Sequence, residues 1–104
     1  MALIPDLNLP DLDLPINYDR ADYVTRKIAR LQYAREQDGN CLHCGAKLHQ
    51  RPSNKILGVK INMDLFPADF FFYPVHLHHD HKTGLTIGAV HALCNAYLWQ
   101  YRGE

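Results

Sequence analysis

The chain opens on a short apolar–acidic rhythm, Ile4-Pro5-Asp6-Leu7, Leu9-Pro10-Asp11-Leu12, Leu14-Pro15-Ile16. A proline every five residues excludes a helix and removes ladder donors, so residues 1–21 are expected to form an extended acidic Pro/Leu segment, with residues 22–104 as the folded body. Three roles fit residues 1–17: a tail lying across the body, a docking strip for a protein partner or second subunit, or a cover over a basic surface. Asp22 then has the character of an N-cap, and Tyr23 to Gln37 contains neither Gly nor Pro. Val24, Ile28, Leu31 and Ala34 recur at helical spacing and predict a buried stripe, with Arg26, Lys27, Arg30 and Arg35 off it. Asp38-Gly39-Asn40 should end this amphipathic helix, Gly39 taking the left-handed turn.

Beyond the helix the pattern shortens. Arg51-Pro52-Ser53-Asn54 signals a turn, Ile56 to Ile61 a short strand broken by Gly58, and Asp64 to Asp69 a connection. Phe70 to His78 is rich in aromatic and β-branched residues and predicts a strand, in which Pro74 implies an edge or a bulge. Asp80 to Gly84 is the turn and Leu85-Thr86-Ile87 the returning strand, broken by Gly88. Ala89 to Tyr101 is expected to be a helix with Val90, Leu93, Tyr97 and Tyr101 on one side. Trp99, Tyr97 and Tyr101 are expected in the core rather than against nucleic-acid bases. The expected fold class is therefore small α+β, in the order helix, knuckle, loop, strand, strand, helix.

At 104 residues, 47% hydrophobic and 21% charged, the composition fits one globular domain and excludes wholesale disorder. Apolar runs such as Phe70-Phe71-Phe72-Tyr73 are far too short to span a bilayer, and the first residues lack a secretory pattern, so a cytoplasmic setting is expected. Zero net charge hides an asymmetry: residues 1–22 carry −4, residues 23–60 carry +6, and the remainder −2. The body can thus present a basic face to a polyanion.

Three cysteines cannot close a disulfide framework, and a reducing compartment favours metal ligation. Cys41-Leu42-His43-Cys44-Gly45 is half of a tetrahedral thiolate site on a tight turn. The remaining cysteine, Cys94, stands three residues after His91, a spacing that puts both on one helix face. Cys41, Cys44, His91 and Cys94 form a Cys3His set suited to structural zinc. The excess of histidine lies in His76-Leu77-His78-His79-Asp80-His81, at the end of the expected strand, and Asn95 follows Cys94 directly. A strand-end histidine pair opposite a helix asparagine makes a polar pocket able to hold one divalent cation in a ββα unit. His43 and His49 are expected to be bystanders.

The segment His76 to Gly84 followed by Cys94-Asn95 resembles the HNH (ββα-metal) endonucleases, and among them the phage recombination endonuclease VII group. That group has C-x2-C, an H-L-D-H-D-H-x-T-G-like segment and C-x2-C-N. The resemblance covers residues 41–45 and 76–97, roughly a quarter of the chain. It implies that Cys41 and Cys44 pair with His91 and Cys94 on structural zinc, with His91 replacing one family cysteine. By position, His79 matches the general base, His78 and Asn95 the ligands of a catalytic divalent cation (Mn²⁺, Mg²⁺, Co²⁺ or Ni²⁺), and His81 a phosphate contact. Asp80 is either an orienting carboxylate or a turn former. Because His78 stands where the group has Asp, ions that accept imidazole should gain on Mg²⁺. DNA is the implied partner, met by Arg26, Arg30 and Lys82, with nicking or structure-selective cutting favoured by the small base-reading surface. Two other classes remain: a non-catalytic zinc-stapled nucleic-acid-binding module, and a phage adaptor docking through its acidic Pro/Leu strip.

Overall fold

The computed structural model describes residues 11–103; the earlier part of the expected docking strip, residues 1–10, lies outside the described residues. Helix α1 (Tyr23–Glu36) starts where Asp22 accepts a hydrogen bond from the Thr25 amide at 2.7 Å, a side-chain N-cap. It ends in consecutive left-handed residues, Asp38 at φ +57° and Gly39 at φ +76°. A short helix α2 (Asn54–Leu57) and a single 3₁₀ turn (Met63–Leu65) lead to the antiparallel hairpin of β1 (Val75–His79) and β2 (Thr86–His91), followed by α3 (Ala92–Arg102). The small α+β class is as expected, and a two-stranded sheet carries α1 and α3 against it.

Several boundaries differ from the sequence expectation. Ile56 to Ile61 is no strand: Ser53 precedes a four-residue helix whose Ile56 is buried in the core. Phe70 to Pro74 are turns and bends, and β1 begins only at Val75, because Pro74 has no N–H to extend the ladder. In turn the Pro74 carbonyl accepts from the Ala92 amide at 2.8 Å, tying the strand's start to the first residue of α3. Gly88 does not break β2. It pairs with His78 inside the strand, and a β-carbon there would stand 2.6 Å from Leu42 Cδ2 and 2.8 Å from Gln37 Oε1. The glycine is needed for close approach of the knuckle, not for a turn. Ala89, Val90 and His91 consequently belong to β2, and α3 starts at Ala92 rather than Ala89.

The predicted stripe on α1 is also corrected. Val24 and Leu31 are 64% and 41% exposed, while Ala29 and Gln32 are buried. The inward face is polar because it satisfies backbone groups of its neighbours. Gln32 Oε1 accepts from the Leu12 amide at 2.8 Å and its Nε2 donates to the Leu12 carbonyl at 3.1 Å. Tyr33 Oη meets Thr86 Oγ1 at 2.9 Å, and Gln37, just past the helix, both accepts from and donates to the Ala89 backbone. Residues 11–20 are thereby strapped across α1 and β2. The Ile16 amide bonds Thr86 Oγ1, the Thr86 amide bonds the Ile16 carbonyl, and the Tyr18 amide donates to the Gly84 carbonyl. This part of the N-terminal segment does lie on the body, side-chain clamped, but it is not extended throughout as expected: it bends at Leu14-Pro15 and turns at Tyr18-Asp19-Arg20, where the Ala21 amide donates to the Asn17 carbonyl at 3.1 Å.

The core is thin. Its buried cluster comprises Cys41, Leu48, Ile56, Ala89, Val90 and Cys94, and the largest fully buried side chains are Val90 and Cys94. No helix among the described residues is long and apolar enough to cross a membrane. Gly88→Ala should cost about 1–3 kcal/mol by overpacking against the clamped Gln37 amide and Leu42. A lowered urea midpoint of the zinc-loaded protein checks this, and an unchanged midpoint would show that the knuckle is free to retreat.

Candidate metal centre and histidine site

The knuckle is built by backbone bonds before any metal is considered. The Cys41 amide donates to the Ala46 carbonyl at 2.8 Å, the Gly45 amide returns to the Cys41 carbonyl at 3.0 Å, and Gly45 takes φ +81°. The Leu42 amide donates to the Ala89 carbonyl at 3.0 Å, which seats the knuckle on β2. His91 ends β2 and is the N-cap residue of α3, not part of its first turn, and Cys94 follows within that turn. The ligand atoms of Cys41, Cys44, His91 and Cys94 all lie within 4.8 Å of one another. His91 Nδ1 stands 3.4 Å from Cys44 Sγ and 3.8 Å from Cys94 Sγ. In a zinc tetrahedron with its usual bond lengths, nitrogen and sulfur ligands are about 3.6 Å apart.

Protonation agrees with that geometry. His91 Nε2 sits 2.8 Å from the Lys47 carbonyl and 2.9 Å from that of Gln50. Carbonyls only accept, so Nε2 carries the proton and Nδ1 offers its lone pair to the cluster, the arrangement that orients metal-bound imidazoles. The Cys94 thiol and the Cys44 amide hydrogen-bond the Cys41 sulfur and hold its pKa well below the ordinary thiol value, while the pKa of Cys94, bonded to that sulfur and buried, is pushed up. Three thiolates cannot share this buried space without a counter-charge, which a divalent ion supplies. The four residues read from sequence as a Cys3His set are therefore brought together, and the cluster could hold a structural metal such as zinc.

Asn95, one residue beyond Cys94, reaches back to the hairpin. Its Nδ2 lies 3.0 Å from His76 Nδ1, and its Oδ1 lies 3.3 Å from His78 Nδ1. His76 Nε2 is 2.8 Å from the Phe70 carbonyl. That carbonyl fixes the direction of the whole chain: His76 donates from Nε2, accepts at Nδ1 from the Asn95 amide, and leaves Asn95 Oδ1 to accept from His78 Nδ1. Nδ1 of His78 and Oδ1 of Asn95 are at nearly the spacing of adjacent ligands on an octahedral ion with bonds of about 2.1 Å, namely about 3.0 Å. One imidazole nitrogen and one amide oxygen thus fit a divalent cation, provided the His78 proton moves to Nε2.

From sequence, His76 is assigned no separate role within the histidine-rich segment. It instead locks the Asn95 amide, and the signal was its i, i+2 relation to His78, which places both on one face of a strand. Alternation is interrupted next: His78 pairs with Gly88 but His79 with Thr86, so Ile87 is an extra residue in β2. Such a bulge re-aims the side chains beside it. His79 turns toward Tyr18, with ring centroids 3.9 Å apart and planes within 6°, and toward His81 at 4.7 Å. The Arg26 guanidinium covers the other side of Tyr18 at 3.9 Å and donates from Nε to the Tyr18 carbonyl at 2.9 Å. Burial first, and then the His81 and His78 charges against the opposing Asp19, hold the His79 pKa below the ordinary histidine value. Its imidazole is neutral at neutral pH.

His76, His79, His81 and Asn95 line an open cleft of about 660 Å³, together with Arg26 and Arg30 from α1. Arg30 lies close enough to His76 to disfavour its protonated form, an effect secondary to burial. His78 is 4% exposed and does not line the cleft. Lys82 is not brought to it either, since Asp80 Oδ1 accepts from the Lys82 and Thr83 amides at 2.7 and 3.1 Å and holds Lys82 at the exposed hairpin tip. Asp80 is accordingly a turn former, its carboxyl lowered by those amides. Trp99 also departs from expectation: it is 45% exposed on the cleft rather than in the core, and Tyr101 is 50% exposed. His49 is exposed, and His43 rests near Tyr97.

Comparison with family models, with curated proteins and with solved structures finds no match to this chain. The metal centre gives a direct test. Purified protein should carry one zinc per chain by atomic emission, and Cys94→Ser should lose both the metal and cooperative unfolding. Full folding of metal-free protein in chelator would show that the cluster is only three reduced thiols beside an imidazole.

Proposed function

We propose that this chain is a metal-dependent DNA endonuclease of the HNH (ββα-metal) type, hydrolysing phosphodiester bonds by nicking or structure-selective cutting with little sequence recognition. The observation that carries the proposal is the contact of His78 Nδ1 with Asn95 Oδ1 across strand and helix, next to a neutral, half-buried His79 on a cleft that also holds two arginines. His78 and Asn95, both implied by the family resemblance, are in contact although they are seventeen positions apart. A module that only bound nucleic acid would have no use for that meeting.

In the proposed reaction His79 takes a proton from water as the hydroxide oxygen bonds to phosphorus and the bond to the 3′ oxygen breaks; the departing 3′ oxygen takes a proton from solvent, leaving a 3′-hydroxyl and a 5′-phosphate. Tyr18, stacked flat on His79, fixes the plane in which that imidazole works, and His81 beside it contacts the phosphate. His78 and Asn95 would hold the divalent cation, which when bound supplies positive charge to the phosphate oxygens and the leaving group. His76 keeps Asn95 Oδ1 aimed at His78. Arg26 and Arg30 neutralise flanking phosphates, a sequence-independent attraction, and one short basic helix reads few base edges. DNA in a cytoplasmic setting is thus the proposed partner of the cleft, and residues 1–17 the proposed contact for any protein partner.

Three measurements follow from the geometry. His79→Ala should lose about 10²- to 10⁴-fold of plasmid cleavage while zinc content and circular dichroism stay unchanged. Equal cleavage by wild type and His79→Ala would end the nuclease assignment. His76→Leu, which removes the lock on Asn95, should cost about 10- to 100-fold in activity or cation affinity. With an imidazole where an acid would give an anionic ligand, Mn²⁺, Co²⁺ or Ni²⁺ should support cleavage better than Mg²⁺ in a parallel titration. A strict Mg²⁺ preference would contradict His78 as a ligand.

A further inference from the structure

The wall of the cleft away from the histidines is aromatic. Phe66 packs edge-on to Trp99 at 5.7 Å and against Phe70 at 4.7 Å, and Phe70 in turn lies edge-on to His76 at 4.6 Å. Tyr23 and Tyr73 line the same space at 66% and 67% exposure, and Trp99 shows nearly half of its surface. A chain with so thin a core leaves these rings open to solvent while burying cysteine and alanine, which is costly unless something covers them. The arginines define what that is. Arg26 and Arg30 line the same cleft, so its ligand carries apolar faces and negative charge together.

We propose that this cleft is a stacking site for unpaired bases of a DNA strand adjoining the phosphate to be cut. Open aromatic faces are reached only by bases outside a helix, because in duplex DNA each base face is covered by its neighbours. Trp99, Tyr73 and Tyr23 provide sequence-tolerant stacking surfaces, and Arg26 and Arg30 meet the phosphates between the stacked nucleotides. The cleft, at about 660 Å³, is within the size range of pockets that bury drug-sized ligands. The continuity from Phe70 through His76 to Asn95 places the stacked bases next to the proposed site of hydrolysis. Substrate choice would then rest on strand separation, such as a gap, flap or single-stranded tail, rather than on base sequence. The inference depends on the nuclease proposal for its choice of DNA as the ligand, and not on cleavage itself.

Trp99 is the sole tryptophan, so it reports on its own stacking. Zinc-loaded full-length protein, with no other divalent ion added, is titrated with an oligo(dT) strand, with a duplex carrying a dT tail, and with a blunt duplex of equal charge. The expected result is quenching of Trp99 emission by the strand and the tailed duplex but not by the blunt duplex, with at least about tenfold tighter binding of the former two. Tyr73→Ala should weaken the strand by about tenfold and leave blunt-duplex binding unchanged, and Trp99→Phe should retain strand binding that Trp99→Ala loses. Equal affinity for tailed and blunt duplex with constant Trp99 emission would overturn the inference. So would quenching by a synthetic peptide of residues 1–10, or by raising the protein concentration alone, with no response to oligo(dT). Those outcomes would make the cleft a docking groove for the Leu-Pro strip or for a second copy. A protein that stacks bases but cuts nothing would lose the nuclease proposal and keep this one. A nuclease that cuts blunt duplex with Trp99 silent would do the reverse.

Discussion

The contact of two sulfurs on the knuckle with one nitrogen and one sulfur at the β2–α3 junction is the constraint on which the rest of this fold depends. The chain buries few large apolar side chains, and two of the six residues in its buried core cluster, among the described residues, are themselves cysteines of the metal site. A metal bound across positions some fifty residues apart would supply folding free energy that such a core lacks. It also sets geometry. His91 is paired with Val75 at one end of the hairpin, and Cys94 is followed directly by Asn95. Holding His91 and Cys94 on one ion would therefore fix where the hairpin ends, where α3 starts, and which way Asn95 faces.

Polar groups do much of the remaining work. Gln32 and Gln37 serve as backbone surrogates, one holding the extended N-terminal strap and the other the outer edge of β2. Beside them a directed hydrogen-bond series runs from the Phe70 carbonyl through His76 and Asn95 to His78. No buried side-chain nitrogen or oxygen among the described residues lacks a partner. In a satisfied network of this kind each ring is held in one orientation, and only the His78 proton has to shift, from Nδ1 to Nε2, for its Nδ1 to meet a cation. The strap adds Tyr18 to that order by pressing it flat on His79 with Arg26 behind.

What the sequence made legible was whatever has a short-range mechanism. The Asp22 cap, the left-handed Gly39, the Asp80 turn and both halves of the Cys3His set each rest on residues a few positions apart. The misjudged features all depend on distant partners. The inward face of α1 is glutamine and alanine because Leu12 and Ala89 need donors and acceptors there, which an apolar stripe cannot reveal. Gly88 looked like a breaker because its purpose, clearance for Leu42 and Gln37, lies about fifty positions away. Ala89 and Val90 suit a helix by local preference but are held in a strand by pairing with Leu77 and His76. His76 escaped notice because its partner, Asn95, is visible only once the helix is placed.

The same dependence bears on chemistry. If the metal cluster aligns Asn95 with His78, and the strap aligns His79, the assembly should perform one reaction: water attack on phosphorus with loss of the 3′ oxygen. Cleavage of plasmid DNA in ¹⁸O-labelled water by zinc-loaded protein with Mn²⁺, followed by mass spectrometry of the cut ends, tests that directly. The expected products are 3′-hydroxyl ends and 5′-phosphates carrying one heavy oxygen; intact DNA, or ends bearing a 3′-phosphate or cyclic phosphate, would contradict this reaction.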